Sequence, residues 1–511
     1  MDSDELAESR RSTWTEDTLY CPLHCTDHVN SVFMVECTDN RRQGYGPPPS
    51  VCRACAVILV AVLALSACAT DHFDPRPLSV QAIAEDFGAR SLTSTELQGF
   101  IGRHQGRSDA SWPPAVWNLE MLTLAAFHFN PELTAARARL ATAEAGVSTA
   151  GQRPNPTLQL PLQGTLNPLN GISPWTLGLV LDIPLETAGR REYRSLAASQ
   201  LASAARFRLA EAAWTIRSRL RSALLDMWFA DARAELLGQR FALDQTLASQ
   251  MERRRFAGQV SAWEAGQQQL AVLQSEAEHL AALNQVSAAR AGLAAALGVG
   301  QGALDGVELD LSLFAASPPT LPDTLLGDAL LNRADVGAAL ARYEASQAAL
   351  QLELARQYPN INLGPGYIFD QGARRPGFSF GGLELPLFNR NEGPIAEARG
   401  RRREAEAQVK LVEVRALGDT EAAAAAFRNA QASLTQSEVR LAAQTRQSER
   451  LRQALAVGQE DRLAMVQAER SQLAARGAVL DSRFRLQQAV GSLEDALQRP
   501  LPAADENHKG K

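Results

Sequence analysis

Apolar residues recur at helical spacing over two very long stretches of the chain. Leu209, Ala213, Ile216, Leu220, Leu224 and Met227 mark one, and Phe427, Ala430, Leu434 and Leu441 the other. Proline is absent from Leu185 to Ser317 (133 positions) and from Ile395 to Arg499 (105 positions). A proline inside a helix costs about 3 kcal/mol, so these gaps permit helices of great length. A turn is expected within each, at Gly258-Gln259 and at Gly458-Gln459. A helix from Ala188 to Ala257 would run roughly 100 Å at 1.5 Å per residue, more than a compact globule needs.

Ahead of each long stretch, a helical run of about 35 residues gives way to segments of period two. Leu158, Leu160 and Leu162 alternate with Thr157, Gln159 and Pro161, and Leu177, Leu179, Leu181 and Ile183 with Thr176, Gly178, Val180 and Asp182. Further on, Ile361 and Leu363 alternate with Asn360, Asn362 and Gly364, and Phe378 and Phe380 with Ser379 and Gly381. Segments of about ten residues with one apolar face suit a transmembrane β-barrel, although a half-buried soluble hairpin shows the same alternation. Four strands cannot close a barrel, and an open sheet in lipid leaves backbone groups unpaired at several kcal/mol each. Membrane-embedded strands therefore require several chains, and three would supply twelve strands.

The two halves repeat. Asn130-Pro131-Glu132-Leu133 and Arg333-Ala334-Asp335-Val336 open helical runs 203 positions apart, and Pro156 and Pro359 stand at the same offset. Asp182-Ile183-Pro184-Leu185 and Glu384-Leu385-Pro386-Leu387 are 202 apart, and Gly258-Gln259 and Gly458-Gln459 are 200 apart. Landmarks in one order at nearly one spacing indicate a tandem duplication of about 200 residues.

The chain also carries an address. Ala54–Ala67 is an apolar run of 14 residues behind Arg53, too short to cross a bilayer and suited to a secretory signal. It ends in Leu65-Ser66-Ala67-Cys68, which resembles a lipoprotein signal in which Cys68 becomes the lipid-bearing N-terminus. Ala69 behind that cysteine favours outer-membrane retention. Residues 1–50 precede the signal awkwardly, and translation is expected to begin at Met34 or Val51. Cys52 and Cys55 would then be removed with the signal rather than form a redox or zinc pair.

Composition narrows the function. With 511 residues, 45% of them hydrophobic, and a net charge of −6, the chain is neither disordered nor a nucleic-acid binder. All six cysteines fall between positions 21 and 68, which excludes a disulfide scaffold for the rest. No phosphate-binding loop or nucleophile elbow occurs, and no histidine pair beyond Cys68 has metal-ligand spacing. No enzyme activity, metal site or cofactor is expected; the one covalent group expected is the lipid on Cys68.

Lipid signal, paired repeats with a Pro-Asn-x-x-Leu strand, a second strand ending in Ile-Pro-Leu or Leu-Pro-Leu, and long Ala-rich helices together resemble the outer-membrane factor (TolC-like) efflux family. The likeness covers about residues 117–499, and Pro184-Leu185-Glu186-Thr187-Ala188-Gly189-Arg190-Arg191 resembles its cobalt–zinc–cadmium branch. The resemblance implies a mainly α protomer with a small transmembrane β part. Helical hairpins would form an α-barrel, and four strands per chain would join a trimeric 12-stranded β-barrel. It implies an outer-membrane, lipid-anchored exit duct with a large periplasmic portion, partnered by a periplasmic adaptor and an inner-membrane pump. Acidic residues narrow the periplasmic mouth in this family. The matching positions here are Glu264, Ala464 and Gln467, so the second-repeat acids are missing and Glu460 and Asp461 are the substitutes. Gly258 and Gly458 mark the turns where an adaptor would touch. Acids at these places also suit ordinary helix starts.

The expected organisation is a leader (1–50), a lipoprotein signal (51–67), a loosely structured lipid-anchored arm (68–117), two repeats (118–320 and 321–499) and a polar tail (500–511). A lipid-anchored coiled-coil spacer or adaptor without a channel is the alternative. A spacer would not need the alternating strands, and an adaptor would show a barrel or lipoyl-like domain in place of the duplication.

Overall fold

The computed structural model describes residues 73–105, 112–321, 325–380 and 386–501. The chain divides into two units, Met1–Pro77 and Leu78–Lys511. Of the first, Phe73–Pro77 are described, an exposed stretch in which Arg76 pairs with Asp74 at 3.3 Å. The leader, the signal, Cys68, Glu384, Leu385 and most of the polar tail lie outside the described residues.

The second unit begins with α1 (Val80–Ala89) and α2 (Thr95–Gln105), then β1 (Val116–Trp117). This corrects the expected loose arm. Leu92 and Leu97 are fully buried, and the guanidinium of Arg90 donates to the carbonyls of Phe129 and Gly298 at 3.1 and 2.8 Å. Apolar positions separated by polar ones hid a short amphipathic pair in what reads as a proline-flanked linker. β1 pairs in parallel with β5 (Glu308–Leu309), a small ladder that the alternation did not announce.

The first repeat runs α3 (Leu119–Phe129), α4 (Pro131–Gly151), β2 (Thr157–Gln159), β3 (Leu162–Gly164), β4 (Trp175–Leu185), α5 (Arg190–Phe256) and α6 (Ala262–Leu297). The second runs α7 (Leu325–Asn332), α8 (Ala334–Ala355), β6 (Ile361–Asp370), β7 (Ala373–Phe380), α9 (Glu392–Ala456) and α10 (Arg462–Leu497). The expected 35-residue helical runs are each broken in two. In the first, Asn130 ends α3 and caps α4, its side chain accepting from Glu132 N–H with Pro131 at the first helical position.

α5 has 67 residues and α9 has 65, while α6 and α10 have 36 each. A helix of that length spans about 100 Å, so one partner cannot cover it. The shorter α4 lies along α5 beyond α6, and α8 lies along α9 and α5. The densest core sits where the small helices, the β1–β5 ladder and the long helices meet. Trp117, Leu122, Leu220, Leu224, Leu293 and Phe314 are buried together there.

Candidate functional site

The five strand segments form one antiparallel sheet ordered β2–β4–β6–β7, with β3 also paired to β4. The expected first strand is split at Pro161, which lacks an N–H; its carbonyl still accepts from Gly178 N–H at 2.9 Å. β6 continues through Gly364-Pro365-Gly366 to Asp370, well past the alternation at Ile361 and Leu363.

Register sorts the two faces. On one face Leu162, Leu177 and Phe369 stand in a row, as do Leu179 and Tyr367, and Ile183, Leu363 and Phe380. On the other, Thr157 opposes Asp182, Gln159 opposes Val180 and then Gly366, and Gln163 leads through Thr176 to Asp370. Thr176 Oγ1 donates to Asp370 Oδ1 at 2.9 Å, and Arg375 lies 3.7 Å from the same carboxylate. A one-residue slip would exchange the faces, so a consistent apolar face is strong evidence of design for lipid on one side and water on the other. Arg374 is the charged exception on the apolar face, next to the Gln371-Gly372 turn, where a long side chain can reach the headgroup region.

Glycine shapes the polar face. A Cβ on Gly178 would meet Pro161 Cγ at 2.6 Å, and one on Gly366 would meet the Leu179 carbonyl oxygen at 2.9 Å. Among the described residues of one chain β2 and β3 on one side and β7 on the other are free edges, a condition lipid does not tolerate.

At the opposite end of the long helices lie two turns built alike. Gly258 (φ 70°) ends α5: its N–H donates to Arg255 O at 3.0 Å and that of Gln259 to Arg254 O at 2.9 Å. Gly458 (φ 75°) repeats this on α9, with Leu455 O and Ala454 O accepting at 3.1 and 2.9 Å. Both are left-handed glycine caps that satisfy terminal carbonyls. The next helices are capped in turn. Ser261 Oγ accepts from Glu264 N–H at 3.2 Å, while Glu264 Oε2 accepts from Ser261 N–H at 2.8 Å, a reciprocal box. The backbone N–H and then the hydroxyl of Ser261 hold the Glu264 carboxyl below the usual glutamate range.

Asp461 does more than start α10. Besides accepting from Leu463 N–H at 3.3 Å, its Oδ1 lies 2.6 Å from Arg254 Nη2, so the last turn of α5 is tied to the first turn of α10. The Arg254 guanidinium, followed by the Leu463 N–H, holds the Asp461 carboxyl below its ordinary value. Glu460 is exposed, with no ion pair among the described residues. Of the residues singled out from sequence, Gly258, Gly458, Glu264, Glu460 and Asp461 thus gather at the two turns. Arg254 was missed. The run Arg253-Arg254-Arg255 suits a helix C-terminus anyway, and nothing in the sequence distinguishes the one that crosses to the other repeat. Among the described residues no group of His, Cys, Asp and Glu could hold a metal ion.

Free-edged strands with one apolar face, joined to helical hairpins of about 100 Å, define a protomer of an outer-membrane channel with a long helical tunnel. The chain belongs to the outer membrane efflux protein family, whose model matches residues 125–299 and 325–498. It is similar to the cobalt-zinc-cadmium resistance protein CzcC of Cupriavidus metallidurans, 27% identical over 328 residues, 64% of this chain and 75% of that protein. The fold is similar to the outer membrane protein VceC of Vibrio cholerae (TM-score 0.61, 23% identity, 75% of this chain and 97% of that one). It also resembles CusC (0.60, 19%, 76% and 95%) and the open-state MtrE channel of Neisseria gonorrhoeae (0.60, 19%, 75% and 89%). As a member of this family the protein is an outer-membrane efflux duct. The spacer reading is not favoured.

Proposed function

We propose that this duct carries divalent metal cations outward, that its periplasmic mouth is latched by the Arg254–Asp461 pair, and that a lipid on Cys68 anchors it. The observation that carries the latch is the 2.6 Å contact between the tips of the two hairpins, which must part if the α9/α10 hairpin is to swing away from α5. Charge-assisted hydrogen bonds of this kind are short and directional. Glu264 is occupied in its capping box and serves the turn; Glu460 projects into solvent beside the latch. Cargo is supported by the similarity to a cobalt-zinc-cadmium resistance protein and by the Pro184–Arg191 segment. An exit duct needs no tight metal site, since weak binding lets cargo leave. Leu65-Ser66-Ala67-Cys68 supports the lipid.

The same turns expose Phe256, Trp263 and Val457 at 77%, 73% and 70%, an apolar ring suited to a periplasmic adaptor. Asp461→Asn should raise the basal single-channel conductance of purified trimers in planar bilayers; unchanged conductance would remove the latch. A strain lacking the protein should lose tolerance to cobalt, zinc and cadmium, and retained tolerance would overturn the metal cargo.

A further inference from the structure

Five ionic pairs in four rungs join α5 to α10 along one seam, the first rung being doubled because Arg217 also meets Glu494 at 3.2 Å. Arg221 meets Glu494 at 3.3 Å, Arg233 meets Asp481 at 3.8 Å, Asp244 meets Arg470 at 3.7 Å, and Arg254 meets Asp461 at the tip. The steps along α5 are twelve, eleven and ten residues, and each step forward on α5 is matched by one of similar length backward on α10. Eleven residues make about three helical turns, so the Arg233–Asp481 and Asp244–Arg470 rungs fall on the same face of both antiparallel helices.

The third rung differs from the others in two ways. Its polarity is reversed, with the acid on α5 and the base on α10. Sliding α10 by one rung in either direction would therefore set Arg233 against Arg470, or Asp244 against Asp481. The seam can splay but cannot slide without bringing like charges together. The acid of this rung is also sealed from solvent. Asp244 is 0% exposed, and neither of its carboxylate oxygens accepts a hydrogen bond among the described residues. It is held by charge alone, between Arg470 and Arg240, each at 3.7 Å. Arg240 is fixed in turn by Glu278 of α6 at 2.7 Å, so the chain Glu278–Arg240–Asp244–Arg470 crosses three helices. Parting this rung breaks an ion pair whose carboxylate is shielded from solvent and leaves Asp244 to Arg240 alone, whereas the tip rung is already half in water.

We propose that Asp244 is the positioning residue that sets how far the mouth opens: the α9/α10 hairpin parts from α5 on the tip side of the Asp244–Arg470 rung and stays paired beyond it. The proposal rests on the latch at Arg254–Asp461 and goes further, assigning the limit of the motion. It places that limit ten residues, about 15 Å of helix, from the latch.

The test first brackets the rung with its charges intact. In the latch-free Asp461→Asn channel, one cysteine pair lies on the tip side (Leu247→Cys with Ala468→Cys) and one beyond the rung (Leu236→Cys with Ala478→Cys). Each is bridged by a short thiol cross-linker and read by single-channel conductance. Bridging Leu247 to Ala468 should return conductance to the latched level, while bridging Leu236 to Ala478 should leave it raised. Adding Asp244→Asn should move the limit, so that the Leu236–Ala478 bridge now lowers conductance as well. The proposal is overturned if both bridges close the channel while Asp244 is intact, or if Asp244→Asn leaves the pattern unchanged. A conductance that Asp461→Asn fails to raise would show the latch itself to be absent, and the limit falls with it.

Discussion

Leu179 sits near the middle of β4, on the row with Tyr367, and is 47% exposed in the single chain. Its neighbour Val180 faces the other way, opposite Gln159 and Gly366. If the apolar face meets lipid, Leu179→Arg places a guanidinium near the bilayer midplane. On a barrel's lipid face that costs about 2–4 kcal/mol per chain, and roughly three times as much per trimer. Val180→Arg instead turns the charge into the water-filled lumen, beside glycines that leave it room, and should cost little. Both variants lose a branched apolar side chain from a strand, so their difference isolates the environment of the face. The assay is the temperature at which trimers from outer-membrane fractions dissociate on a denaturing gel. Leu179→Arg should lower it sharply or abolish trimers, with Val180→Arg close to wild type. Equal losses, or a greater loss for Val180→Arg, would refute the face assignment.

Three further outcomes follow from individual contacts. Glu494 is 7% exposed and serves both Arg217 and Arg221 at 3.2 and 3.3 Å, so Glu494→Gln should destabilise the folded chain by about 3–5 kcal/mol, read as a lowered melting temperature. A melt like that of wild type would show that the guanidinium groups find other partners. The Asp461 carboxyl is held below its ordinary value of 3.8, so its contribution is complete above about pH 4 and lost as the pH falls through the lowered folded value. Basal conductance should therefore be flat between pH 5 and 8, and a transition in that window would mean another group governs the latch. Glu264→Gln keeps a side chain able to complete the capping box, so conductance and cation block should remain those of wild type. A changed cation block would restore Glu264 to the mouth.

Much of this architecture is legible in the residues because its signals are periodic and long. Helices of 67 and 65 residues leave proline-free tracts, and the duplicated Gly-Gln turns recur at a fixed offset. Helix boundaries set by caps were partly visible too, as at Asn130-Pro131. The short helices α1 and α2 were not. They are stabilised by tertiary contacts, Leu92 and Leu97 buried in the central core and Arg90 on distant carbonyls, rather than by any local pattern. The latch was half legible. Asp461 announces itself as an acid at a helix start, but its partner is one of three successive arginines, chosen by how the hairpins lie together. Asp244 gave no signal, because an aspartate within a polar helix looks solvated until α10 is laid over it.

If neighbouring chains complete the barrel, they meet through the free edges β2/β3 and β7. Within one chain these edges are separated by three strand spacings, about 14 Å, too far for a disulfide. The direct measurement is an oxidative cross-linking scan of chains carrying one cysteine at Gln159 or Gln163 and a second at Ala373, Arg375 or Gly377. Reductant-sensitive dimer and trimer bands should appear for the pairs in register. Monomer alone across the whole scan, from protein recovered in the outer membrane, would show that these edges do not meet between chains.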